Sequence, residues 1–302
     1  MKIKLSIICL LIFVSATFSQ NVIIPDANFK AVLIQKGVDK NGDGEIQKTE
    51  ALQVDSLSLF TNSITSIIGI EDFTNLFYFS TQMNYIGSVD FTKNKSLTYL
   101  DCSYTAITSI DLSQNLNLKT LLCVFNNKLQ SLDLKANIHL EKIYLAYSNV
   151  STIDLSQNIN LKDMNFSYNL FSNIDISKNL NLERLNCNNN KLKSLDIRLN
   201  NNLIFLDCTY NNALPEICIN SAQQVLISTN HSNWNKDSNS SWSTNCTTSI
   251  WEMESINKLT KVLKIYNTVG QEIMPDKLSE GVYILQYSDG SFKKIFRFEN
   301  NQ

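Results

Sequence analysis

The sequence predicts an α/β solenoid. Short coils stack one strand each into a parallel β-sheet, a helical cap closes one end, and a small C-terminal all-β module follows. Three observations predict it. Apolar residues recur every 21 residues over more than half of the 302-residue chain. Asp and Asn recur in phase with them. The period then fails at both ends, where other signals take over.

The coils begin at Leu76, Leu97, Leu118, Leu140, Leu161, Leu182 and Leu203, with one extra residue in the coil from Leu118. In the second of these, apolar residues stand at positions 1, 4, 6, 11, 14 and 16: Leu97, Leu100, Cys102, Ile107, Ile110 and Leu112. Asp precedes the last of them in six coils: Asp90, Asp111, Asp133, Asp154, Asp175 and Asp196. Asn closes the same six: Asn94, Asn115, Asn137, Asn158, Asn179 and Asn200. A degenerate earlier coil begins near Val54, with Leu57, Leu59, Ile64 and Ile67.

One coil cannot enclose a core alone. Each supplies a short strand around positions 3 to 7, with positions 4 and 6 pointing inward. Stacked strands lie about 4.8 Å apart in a parallel sheet. An inward Asn can then bond the backbone of neighbouring coils, so repetition satisfies a buried polar group. The Asp column reads as turn residues bonding backbone, or as solvated acids, and not as catalytic pairs.

The pattern Leu-x-x-Leu-x-Leu/Cys-x-x-Asn-x-Leu, repeated in phase over residues 54–217, resembles the leucine-rich-repeat family. The resemblance implies a right-handed coil with its parallel β-sheet on the concave face. Cys102, Cys123, Cys187 and Cys208 at position 6 resemble the cysteine and asparagine ladder of internalin-J-like repeats. Leu145 and Phe166 replace Cys, and Thr105 and Ser148 replace Asn, so those coils should be less regular. The ladder cysteines project into a core and read as small hydrophobes. Disulfide pairing or metal ligation is the rival reading.

The N-terminal cap spans 20–53. Pro25 and the spacing of Phe29, Val32 and Leu33 predict a short helix. Residues 39–50 then match the twelve-residue EF-hand loop: Asp39, Asn41 and Asp43 offer side-chain oxygens, Gly44 permits the turn, Glu45 offers its carbonyl, and Glu50 can bind with both oxygens. This predicts one weak calcium site of about 10⁻⁴ to 10⁻³ M. The alternative is an acidic turn without metal. A second short helix should follow from Thr49.

The C-terminal cap and linker span 218–249. Cys218 and Cys246 flank an Asn/Ser-rich stretch with Trp234 and Trp242, and read as a disulfide worth about 3.5 kcal/mol in the chain-entropy model. In the final segment, 250–302, three apolar-alternating runs (261–266, 281–287 and 292–298) read as strands, with Ser288–Ser291 as a hairpin turn. The motifs Ile265-Tyr-Asn-Thr-Val-Gly270-Gln-Glu, Gly281-Val-Tyr283 and Lys294-Ile-Phe-Arg-Phe resemble the type A C-terminal sorting domain of the type IX secretion system. That resemblance implies export by the type IX machinery, followed by release or attachment at the outer cell surface. The rival reading is a β-domain with its own binding role.

Residues 1–19 read as a secretory signal peptide: Lys2 and Lys4, an apolar run from Leu5 to Val14, and small residues before a cut after Ser19. The run is well short of the roughly 20 residues of a membrane span. Losing both lysines takes the formal charge from -2 to -4, and no basic block points to nucleic acid. An exported chain favours disulfides. His139 and His231 are the only histidines, neither sits in a catalytic motif, and the reading is that of a non-enzyme.

Two functions remain. One is a secreted or cell-surface binding or adhesion protein, recognising a protein or glycan on the concave face. The other is an accessory, non-catalytic subunit of a secreted enzyme system such as glycan degradation. Position 8, just past each strand, holds Met83, Tyr104, Phe125, Tyr147, Tyr168, Asn189 and Tyr210. Tyr99 and Tyr144 add rings on outward strand positions. This aromatic column is the predicted ligand face. Rings that stack only on each other, to stiffen the rod, are the competing account.

Overall fold

The computed structural model describes residues 20–60, 63–229, 233–246, 262–267, 271–272, 281–287 and 292–297. The predicted signal peptide, His231 and the turn Ser288–Ser291 lie outside them. The chain divides into two compact units, residues 1–242 and 243–302.

The first unit is a parallel β-solenoid. Nine three-residue strands form one sheet: Ser56–Ser58, Tyr78–Ser80, Tyr99–Asp101, Thr120–Leu122, Lys142–Tyr144, Asp163–Asn165, Arg184–Asn186, Phe205–Asp207 and Asn233–Asn235. Coil positions pair like with like, Tyr99 with Thr120 and Thr120 with Lys142, so the extra residue after Leu118 leaves the register intact. Coils with a substituted ladder residue pair just as regularly, against the expectation of irregularity. Thr105 shows why: its hydroxyl donates to the Cys102 carbonyl at 2.8 Å, a bond also open to an amide.

Four strands end early for a local reason. The Asp or Asn at position 5 accepts from the N–H two residues on: Asp101 from Ser103, Asn165 from Ser167, Asn186 from Asn188 and Asp207 from Thr209. Such Asx turns compete with the ladder and bend the chain. Position 8 then takes the left-handed conformation in every coil from Met83 to Tyr210, with φ between 52° and 59°. The Asp column makes the same turn on the far side of the coil, each Asp accepting from the N–H two residues on at 2.9–3.0 Å.

The core fills from positions 4 and 6. Phe79, Leu100, Leu121, Ile143, Met164, Leu185 and Leu206 are buried at the first, and Cys102, Cys123, Leu145, Phe166, Cys187 and Cys208 at the second. The four cysteines are free thiols. The bond to Cys123, then burial, push the Cys102 thiol up, burial does the same for Cys187, and Cys208 rises to about 12. Those three stay protonated, and all four side chains pack as small apolar groups.

Two asparagine columns tie coil to coil. The closing Asn of each coil donates twice to backbone carbonyls of the preceding coil, as Asn158 does to Leu134 and Asn137, both at 2.9 Å. The second column, at position 9, both donates and accepts. Asn169 donates to the Leu145 carbonyl at 2.7 Å and accepts from the Val150 N–H at 3.2 Å.

α-Helices occur among the described residues only in the caps, and a short 3₁₀ helix, Ile70–Asp72, lies in the first coil. Helix α1 (Ala27–Gln35) buries Phe29, Val32 and Leu33. Asp26 caps it through the Phe29 N–H and also accepts from Thr65 and Ser66. One carboxylate thus fastens the cap to the first coil. Helix α2 (Lys48–Ala51) is held by a capping box between Gln47 and Glu50.

At the far end the solenoid runs on beyond residue 217. Helix α3 (Ser221–Ser228) is capped by Asn220. Its Gln223 amide donates to the carbonyls of Ile197 and Asn200, as a closing Asn would. Trp234 takes the position 4 place in the ninth strand. Asp237 then accepts from the Tyr210 and Asn211 N–H groups, which have no further coil to bond. Cys218 and Cys246 are both disulfide-bonded. The second unit contains a three-stranded antiparallel sheet with Gly281–Tyr287 between Val262–Asn267 and Phe292–Arg297, at the three predicted runs.

Candidate functional site

The outward side of the sheet is made of positions 3 and 5. Position 3 reads Tyr78, Tyr99, Thr120, Lys142, Asp163, Arg184 and Phe205, and position 5 reads Ser80, Asp101, Leu122, Tyr144, Asn165, Asn186 and Asp207. Strand pairing brings these into contact. Tyr78 and Tyr99 stack with centroids 4.5 Å apart. The Tyr144 hydroxyl donates to Asp163 at 2.8 Å, Lys142 pairs with the same carboxylate at 3.3 Å, and its ammonium lies over the Tyr144 ring. The Arg184 guanidinium covers the Phe205 ring at 4.5 Å. Burial, the Asp101 charge and Tyr78 push the Tyr99 hydroxyl up to about 12, so it remains a donor.

The predicted aromatic column falls into parts. Tyr104, Phe125, Tyr147 and Tyr168 form one continuous stack along the rim, with centroids 4.5, 4.1 and 4.0 Å apart and planes within 19°. Asn189 ends it, and Tyr210 stands beyond, 66% exposed. Tyr99 and Tyr144 belong to the separate clusters on the sheet. The left-handed backbone at position 8 costs a non-glycine residue about 1–2 kcal/mol. A stacked pair returns about 0.5–1.5 kcal/mol. Because Met83 and Asn189 share the conformation, the strain belongs to the coil and not to a site. Sequence reasoning missed Arg184 on Phe205 and Lys142 on Tyr144 as paired features; the cue was that Arg184 and Phe205 share position 3 of adjacent coils, while Lys142 and Tyr144 stand two residues apart on one strand.

In the N-terminal cap the loop folds around its own acids. Asp39 accepts from the Gly42 and Gly44 N–H groups, and Asn41 and Asp43 accept from the N–H two residues on. Gly42 and Gly44 supply φ of 76° and 80°, the left-handed turns that the loop needs. Glu50 is buried, one oxygen accepting from Lys40 and Asn41 and the other from Gln47. The Glu45 side chain turns away to pair with Lys30, which leaves only its carbonyl for the loop. Three carboxylates, one amide oxygen and one carbonyl are the donor set of a hard, oxygen-seeking cation, and the residues fit calcium.

Among the described residues, no helix is long and apolar enough to cross a membrane. No family model and no curated protein matches the chain. Solved structures do. The functional domain of InlJ from Listeria monocytogenes, which includes a cysteine ladder, is 22% identical with a TM-score of 0.39, over 66% of this chain and 56% of that one. Internalin F from the same organism is 17% identical with a TM-score of 0.42, over 77% of this chain and 100% of that one. Neither score supports an argument. Internalin C2 of Listeria monocytogenes has a TM-score of 0.59 at 19% identity, over 72% of this chain and 94% of that one. At that identity the likeness speaks of fold alone. Joined to the in-phase columns and the nine-stranded parallel sheet, it identifies the fold as the leucine-rich-repeat solenoid of the internalins.

Proposed function

We propose that this protein is exported by the type IX secretion machinery and holds an extracellular partner against the sheet side of its solenoid. One observation carries the reading: the sheet side holds rings and charges already fixed by their neighbours. Preorganised side chains lose little entropy on binding, and aromatic and Arg groups are the usual anchors. The proposed contacts are Tyr99, Tyr104, Phe125, Tyr144, Tyr147, Tyr168 and Tyr210, with Lys142 and Arg184 between them.

The stack selects among ligands. A sugar binds an aromatic residue through its open face, and the inner faces of this stack are covered by the next ring. Edges and hydroxyls remain, with Tyr147 36% and Tyr168 43% exposed. Those suit a protein surface better than a glycan. Exchange of Tyr147 and Tyr168 together for Ala tests the reading: capture of an extracellular protein partner should be lost while the rod stays folded.

Two parts support that role. The cap loop takes one calcium ion, with Asp39, Asn41, Asp43, the Glu45 carbonyl and Glu50 as its ligands, and stiffens the end of the rod. The C-terminal module serves export, a role supported by its sorting-domain motifs and its small antiparallel sheet.

A further inference from the structure

A second surface runs along the edge of the sheet where each coil enters its strand. Position 2 there carries Lys119, Glu141, Lys162 and Glu183 in four successive coils. Each backbone N–H bonds the carbonyl of the one before it, Glu141 to Lys119, Lys162 to Glu141 and Glu183 to Lys162, at 2.8–2.9 Å. The four therefore stand in one column, about 4.8 Å apart. Three residues before each charge stands an apolar side chain that the fold leaves in water: Leu116, Ile138, Ile159 and Leu180, between 48% and 54% exposed. These also keep phase, since Asn160 and Asn181 donate to the carbonyls of Ile138 and Ile159. Single exposed apolar residues occur at other coil positions, Phe77, Leu170, Leu199 and Ile204 among them, but four aliphatic side chains at one position of successive coils make a patch and not scatter.

We infer that this edge is a self-complementary interface, which pairs two copies of the chain antiparallel about a two-fold axis between the coils of Glu141 and Lys162. The order of residues carries it. The charges read plus, minus, plus, minus, and reversal turns every plus into a minus. A two-fold pairing then sets Lys119 against Glu183 of the second copy and Glu141 against its Lys162, and each contact occurs twice. The apolar line reads Leu, Ile, Ile, Leu and is unchanged by reversal, so Leu116 meets Leu180 and Ile138 meets Ile159. A parallel approach in register would set like charges opposite each other at every coil. Within one chain, Lys162 and Glu141 already pair at 2.9 Å. Charge alternation accounts for that contact, but it does not explain the matched apolar line.

Four coils make a small interface, so the dimer is reversible and sensitive to concentration and salt. It leaves the outward side of the sheet uncovered and joins two binding sides in one particle, which raises avidity for a repetitive partner. This holds whether or not the sheet side binds a protein.

Sedimentation velocity over a concentration series, at low and high salt, tests the pairing. The purified protein should shift from monomer to dimer as concentration rises, and salt should oppose the shift. Lys119→Glu should raise the dimer dissociation constant about tenfold, because two attractive contacts become repulsive. Lys119→Glu together with Glu183→Lys should restore it. That double exchange sets like charges side by side within each chain, at 119 and 141 and at 162 and 183, yet keeps every contact between copies opposite in sign. Circular dichroism should be unchanged in both variants, since the side chains are surface groups. A monomer at all concentrations, an unaffected single variant, or a double variant as weak as the single one would each overturn the inference.

Discussion

An asparagine amide carries two donors, and the closing residue of each coil spends both on backbone carbonyls of the coil before it. Asn94, Asn115, Asn137, Asn158, Asn179 and Asn200 are almost wholly buried, and their side-chain oxygens have no protein partner. Their value therefore lies in donation. Asn158→Ala should cost about 1–3 kcal/mol, because it removes two buried hydrogen bonds, although the Leu134 and Asn137 carbonyls keep the N–H groups of Asn137 and Leu140. Asn158→Asp should do no better, since a carboxylate donates nothing and buries a charge. Urea unfolding would read both; a loss below about 1 kcal/mol would assign the column to packing. This column was legible in the sequence because its period is that of the fold. The left-handed backbone at position 8 was not. Tyr and Phe argue against such a conformation by their own preferences, and only repetition in every coil holds them there. The same geometry stands four of the position 8 rings face to face.

At the scale of elements, the two caps were unequally readable. The N-terminal one announces itself through Pro25, the helix cap Asp26 and an acidic loop with Gly42 and Gly44 in place. Its metal gives the sharpest prediction at this scale. Calcium should raise the unfolding temperature, calorimetry should find one site, and Asp39→Ala with Glu50→Ala should abolish both effects. An unchanged calcium response in that variant would assign the loop to an acidic turn. The C-terminal cap was hidden by composition. Helix α3 and the strand Asn233–Asn235 lie in an Asn/Ser-rich stretch whose apolar signal at the strand is Trp234 alone. Gln223 and Asp237 do there what Asn and a further strand do elsewhere, and no periodic pattern marks them.

For the whole molecule, coils contact only their neighbours, so stability is a sum of local terms and the rod does not depend on distant segments. The first compact unit ends at residue 242. Deletion of residues 250–302 should therefore leave the solenoid folded, as judged by its circular dichroism and unfolding midpoint. If the tail serves sorting, the same deletion should strand the protein in the periplasm, which cell fractionation would detect. Normal export of the truncated chain would rule out the sorting role.

Binding at the sheet side is read most directly from the rings of the rim stack. Ligand capture and stability should be measured together for Tyr147→Ala with Tyr168→Ala, beside a control pair on the opposite turns, Asp111→Ala with Asp154→Ala. Each preparation would be offered extracellular protein and a glycan panel, with capture normalised to folded protein. The ring pair should lose protein capture at least about tenfold per folded molecule, while the turn pair keeps it. A ring pair that unfolds more easily yet captures normally would contradict it, and would make the stack a structural ladder. Capture of a glycan in place of a protein would keep the surface and correct the ligand.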